Sequence, residues 1–222
     1  MYLSKNFNFP FVPAPAAGLF DWFATAPTVE EFTDCIGVST GWGSVANTTT
    51  TATMAAGSGT DSGSWVLTSN NVAGSAFFKS SSCIRYSANK PCLIFARIKN
   101  DGNATSFGFG GTPVSGNLFS GAWTGPAMWI NGTDLRYGVA ATAGTIGTST
   151  TTSTGVTVAA NEYVSLAILW TGSVYQFFAN GLKVGESTTA CTGVDCYIAV
   201  IEQNSTTVTS TTIDYLGLYA TR

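Results

Sequence analysis

The segment Tyr163–Glu186 constrains the fold of this chain most. Val164, Leu166, Ile168 and Trp170 fall at every second position and so share one face of an extended strand. Thr171-Gly172 then turns the chain into Ser173–Ala179, and Asn180-Gly181 turns it again into Leu182–Glu186. Asn-Gly supplies the positive φ angles of a type I′ turn, so the segment predicts a three-stranded antiparallel meander. One strand of such a ribbon buries half its side chains only against a second layer.

The same reading extends along the chain. Ser64–Thr68, Ala76–Lys79, Pro91–Lys99, Ser106–Phe109, Ala127–Ile130, Leu135–Ala141, Tyr197–Gln203 and Ile213–Ala220 read as strands between Gly, Ser and Asn clusters. In Pro91–Lys99, Ile94, Ala96 and Ile98 share one face while Arg97 and Lys99 occupy the other. Asn131-Gly132 marks a further hairpin. Turn signals every 8–12 residues without helical periodicity predict an all-β fold of two antiparallel sheets packed face to face. The exception is Thr28–Phe32, where Thr28 and Glu31 have capping-box spacing and predict a short helical turn. The threonine tracts Thr48–Thr53, Thr148–Thr154 and Thr206–Thr212 predict loops or solvated edge strands.

Residues 1–27 have a different composition. Phe7, Phe9, Phe11, Pro10, Pro13 and Pro15 exclude a regular helix and predict an extended apolar arm before a domain spanning 28–222. The arm is either a strap across the domain's own surface or a segment that docks on a neighbouring subunit. In the second case Phe7, Phe9, Phe11 and Pro13 make the contacts. Residues 1–15 contain no apolar stretch of the export-signal kind, and no run of eighteen apolar residues occurs anywhere. The expectation is therefore a chain outside the membrane.

Composition excludes several functions. Only 9% of residues are charged and the net charge is -3, without a Lys/Arg cluster, which argues against nucleic-acid binding. A neutral surface rich in Ser, Thr, Asn and Gly repels itself little and favours association. The chain has no histidine, so histidine-dependent nucleophilic triads are excluded and no metal site is expected. Gly108-Phe109-Gly110-Gly111 lacks the lysine and helix of a phosphate loop. Cys35, Cys83, Cys92, Cys191 and Cys196 are odd in number, and buried thiols are the expected state. Cys83–Cys92 and Cys191–Cys196 would close short loops if oxidised.

Two segments carry a family likeness. Asn161–Gly172 with Val174–Gly181, and Ile213–Tyr219 at the end, resemble signatures of the concanavalin A-like lectin/glucanase superfamily, especially its laminin-G-like members. Leu93–Lys99 is similar to an early strand of the same domains. The resemblance implies a jelly-roll sandwich of the kind found in bacteriophage virion proteins. Glycosidases of the superfamily carry a Glu-x-Asp-x-x-Glu strand whose carboxylates do the acid–base and nucleophilic work; it is absent here. The expectation is a non-enzyme without cofactor: a capsid decoration protein in the virion, homo-oligomeric, bound to the major capsid protein or other virion proteins. The alternative is a glycan-binding module of a tail fibre or receptor-binding protein, and a glycoside hydrolase ranks third. For glycan binding, Trp123, Asn131 and Tyr137 are the candidate residues. Trp123 lies among glycine and proline and is expected in an exposed loop, whereas Trp170 is expected in the core. Asp101, Asn103 and Asp134 are weak candidates for calcium ligation.

Overall fold

The computed structural model describes residues 28–33, 42–46, 53–57, 59, 64–68, 74–80, 84–85, 91–101, 105–110, 123–144, 150–191, 196–205 and 209–220. These residues form two antiparallel sheets of eight strands each, and none of them is α-helical.

Sheet I runs in the order β14 (Leu182–Ser187), β13 (Tyr175–Ala179), β12 (Tyr163–Trp170), β7 (Cys92–Asn100), β16 (Ser210–Ala220), β4 (Trp65–Thr68) and β3 (Thr53–Ala56), with β1 (Thr28–Thr33) also on β16. Sheet II runs β11 (Thr152–Thr157), β10 (Asp134–Gly144), β9 (Trp123–Asn131), β8 (Thr105–Gly110), β15 (Cys196–Ser205), β5 (Gly74–Ser80) and β2 (Trp42–Ala46), with β6 (Ile84–Arg85) on β15. The expected meander is β12–β13–β14, and Asn180 (φ 49°) and Gly181 (φ 80°) form its two-residue turn. Asn180 ties that turn back to β12. Its N–H donates to the Ser165 carbonyl at 2.8 Å, and its Oδ1 accepts from the Ser165 N–H at 3.0 Å.

Register explains the core. Val164 faces Ile98, Leu166 faces Ala96, and Ile168 faces Ile94, so the periodic apolar set of β12 meets that of β7 on the inner face. Phe107 and Met128 face each other on sheet II, as do Leu135 and Ile130. All of these are buried, and the predicted core residue Trp170 is 3% exposed. Its ring lies 4.4 Å from Tyr175, which packs 6.1 Å from Phe109 of the opposite sheet. Burial of side chains this large removes roughly 150–250 Å² each from water and dominates the stabilisation.

Two expectations are corrected. Thr28–Phe32 is strand, not helical turn: β1 pairs with the C-terminal half of β16, with Thr28 opposite Ala220 and Thr33 opposite Leu216. β4 covers only the N-terminal half of that edge of β16, from Ser210 to Ile213. The remaining backbone donors and acceptors need a partner, and that long-range demand overrides a local cap. The end of the Thr206–Thr212 tract is central, not solvated: Thr211 lies in the middle of sheet I and is 0% exposed. Its hydroxyl is 2.6 Å from that of Thr105, a pair that satisfies both groups across the core. Thr152–Thr154, by contrast, belong to the edge strand β11, as expected, while most of Thr48–Thr53 lies outside the described residues. So does the arm, including Phe7, Phe9, Phe11 and Pro13.

Candidate functional site

The three candidate glycan contacts have three different surroundings. Trp123 is not in an exposed loop; it opens β9 and is 1% exposed. Its ring lies across β8: a Cβ added at Gly108 or Gly110 would stand 3.1 or 2.9 Å from its Cζ2. The indole N–H donates to the Gly125 carbonyl at 3.2 Å. Gly108 and Gly110 are thus a shelf for an aromatic ring, a signal visible in the sequence as alternating glycines in a strand. Tyr137 is half-buried. Its ring centroid is 4.7 Å from that of Phe177, and a Cβ at Gly185 would collide with the tyrosine ring. It closes the sandwich edge between β10 and β14.

Asn131 alone of the three is exposed. It ends β9, opposite Asp134, across a two-residue turn of Gly132 (φ 61°) and Thr133. One step along the hairpin, Trp129 faces Arg136. Met128 and Ile130 point into the core, so alternation puts Trp129, Asn131, Asp134 and Arg136 together on the outer face of sheet II. Trp129 is half-buried there.

A hydrogen-bond network fixes the charged half of this patch. Arg136 donates through Nη1 to Asp134 Oδ2 at 2.8 Å, through Nε to Thr151 Oγ1 at 2.9 Å, and through Nη2 to the Thr151 carbonyl at 2.6 Å. Ser153 on β11 donates to Asp134 Oδ1 at 2.6 Å. The Ser153 hydroxyl first, and Arg136 second, hold the Asp134 carboxyl below the ordinary value. Asp134 therefore remains an acceptor-only anion at neutral pH, held in one orientation. Strand spacing and the two-residue repeat give the four Cα positions a footprint of about 5 by 7 Å, the scale of one pyranose ring. Indole offers a face to sugar C–H groups, the amide donates and accepts, and the carboxylate accepts from hydroxyls. Sequence reasoning had named Asn131 and had set Asp134 among weak calcium ligands. It missed Trp129, which stands two residues from Asn131 on that face.

Among the described residues no group of three or more His, Cys, Asp or Glu is placed to hold a metal. Asp101 accepts from the Ser210 N–H at 2.6 Å and closes the end of the β7–β16 ladder; burial raises its carboxyl. Asn103 lies outside the described residues. Cys92 and Cys191 are buried thiols, as expected. Burial pushes Cys92 up to about 12, which leaves it protonated and unreactive. Tyr175 donates its hydroxyl to Cys191 Sγ at 3.4 Å inside the core.

No protein-family model matches the sequence, and no curated protein matches it. Solved structures do match the fold. The carbohydrate recognition domain of Emp47p is similar over 90% of this chain and 99% of its own, with TM-score 0.69 and 12% identity. A carbohydrate esterase of the Shiga toxin-encoding bacteriophage phi24B is similar over 88% of this chain and 100% of its own, with TM-score 0.57 and 15% identity. Peanut lectin is similar over 82% of this chain and 98% of its own, with TM-score 0.58 and 10% identity. The sandwich has the concanavalin A-like fold that the sequence resemblance implied.

Proposed function

We propose that this chain is a non-catalytic, lectin-type binding module on the outside of a bacteriophage particle. It takes glycan at the β9–β10 hairpin as part of a tail fibre or receptor-binding protein. The observation that carries this reading is the four-residue array of Trp129, Asn131, Asp134 and Arg136, with its carboxylate already oriented by Ser153 and Arg136. Likeness to carbohydrate recognition domains and to a phage protein supports it. A glycan array on the full chain tests it. Specific binding that falls at least about tenfold in Trp129→Ala supports the reading, since such a platform is worth on the order of 1–3 kcal/mol. An array without hits, or hits indifferent to Trp129→Ala, refutes it.

The second reading is a capsid decoration protein seated on the major capsid protein. What favours it is a low-charge surface whose edge strand β11 carries only Thr, Ser, Gly and Val. Such an edge lacks the charges and proline that block pairing with another chain. Mass spectrometry of purified particles separates the readings: copy number matched to the shell lattice means decoration, and a few copies per particle mean a fibre.

A further inference from the structure

The outer face of sheet I carries an apolar patch. Alternation sends Cys92, Ile94, Ala96 and Ile98 of β7, and Val164, Leu166, Ile168 and Trp170 of β12, into the core. The residues between them point the other way, and four of these are apolar: Leu93 and Phe95 on β7, Ala167 and Leu169 on β12. Leu93 stands opposite Leu169 and Phe95 opposite Ala167, so the four form one block. All four are buried, and none belongs to the core cluster. Phe95 is 1% exposed, although its cross-strand neighbours Ala167 and Gly217 are too small to hide a phenyl ring from the side. Tyr215 adds one ring, with its centroid 6.2 Å from that of Phe95.

A buried apolar patch outside the core needs a layer above it. The described strands all belong to the two sheets, and sheet I meets sheet II through its inner face, so no described strand supplies that layer. Four stretches outside the described residues border the patch: 1–27, 34–41, 86–90 and 221–222. Residues 34–41 and 86–90 must cross between the sheets, joining β1 to β2 and β6 to β7, and 221–222 are only Thr and Arg. Residues 1–27 have no such crossing to make, and they place Leu19, Phe20, Trp22 and Phe23 within five positions. They also join the sheet at the right end. Thr28 faces Ala220, Ala220 faces Cys92, and Cys92 faces Trp170, so β1 begins beside Leu93 and Leu169. Pro27 has no N–H to extend the ladder. Two strand spacings put β7 about 10 Å from Thr28. Residues 24–27 can span about 13 Å, enough to bring Phe23 to that strand.

We propose that residues 19–23 lie across the outer face of sheet I of their own chain, over Leu93, Phe95, Ala167 and Leu169. The arm is then a strap, and ligands and partners meet the outer face of sheet II or the sheet edges. The strap stands whether or not the β9–β10 hairpin takes glycan. The test places photo-reactive benzoylphenylalanine at Phe20 of the full chain, in an equal mixture of isotopically light and heavy chains. Irradiation is expected to join residue 20 to a peptide of β7 or β12, in products with the mass of one chain. A product that joins a light to a heavy chain means that the arm docks on a second copy, and it overturns the strap. A cross-link to any other part of the chain, or none, overturns it as well. A second readout needs no label: Trp22→Ala is expected to lower the urea midpoint, as loss of a buried aromatic does. An unchanged midpoint in Trp22→Ala overturns the proposal.

Discussion

The dipeptide Asn-Gly occurs at two hairpins of this molecule and does different work in each. At β13–β14, Asn180 and Gly181 are themselves the two turn residues, both with positive φ. Asn180 is spent on structure, since its side chain accepts from the Ser165 N–H and anchors the turn to β12. At β9–β10, the turn residues are Gly132 and Thr133, with glycine at the first central position in the manner of a type II′ turn. Asn131 is then the last strand residue. It keeps the strand's alternation and presents its amide beside Trp129 and Asp134 on the outer face. A one-residue shift of the same dipeptide relative to the turn decides whether the amide serves the backbone or is offered to a ligand.

Substitutions sharpen this contrast. The largest effect is expected at Gly181, which is buried and has φ 80°. Gly181→Val forces a β-branched residue into the left-handed region and costs about 1–3 kcal/mol, read as a lowered urea midpoint. Gly132→Val meets no atom within 4 Å and carries only the backbone strain, so its loss is smaller; equal losses would mean that burial at Gly181 contributes nothing. Asn180→Ala removes a side-chain acceptor and costs about 1 kcal/mol, without effect on glycan binding. Asn131→Ala does the reverse: stability stays within about 0.5 kcal/mol while glycan affinity falls. If both asparagine variants lose stability alike, the division of labour is wrong.

The smallest effect concerns pH. The Asp134 carboxyl titrates below its ordinary 3.8 in the folded chain. Its contribution is thus present in full above the unfolded value and is lost as pH falls through the lower folded value. Denaturant midpoints measured between about pH 2 and pH 5 should drop less steeply in Asp134→Asn than in the parent chain. Asp101 has the opposite sign. Its carboxyl is raised by burial, so its charge costs stability as pH rises from 3.8 through the folded value, and Asp101→Asn should remove that small cost. A parent-like pH profile in Asp134→Asn would show that Ser153 and Arg136 do not hold the carboxylate in solution.

Much of the fold was legible because its strands alternate. Tyr163–Trp170 is a strand with the predicted bounds, and Ile94, Ala96 and Ile98 face the core as read. The pairing of β1 was not legible, since nothing near Thr28–Thr33 reveals that half an edge of β16 is unoccupied. Trp123 was misjudged for a similar reason. Its glycine-rich neighbourhood reads locally as a loop, while the ring is accommodated by Gly108 and Gly110 on another strand.

By itself the sequence determined the class: extended strands, tight turns, two faces per strand, and no histidine for proton transfer. Only the tertiary structure decided which of those faces met another layer. Period-two alternation separates one side of a strand from the other but does not say which side is covered, because cover comes from residues far away in the chain. That is why Thr211 became a core residue hydrogen-bonded to Thr105, and why the face of the β9–β10 hairpin that carries Trp129, Asn131 and Asp134 is the outer one.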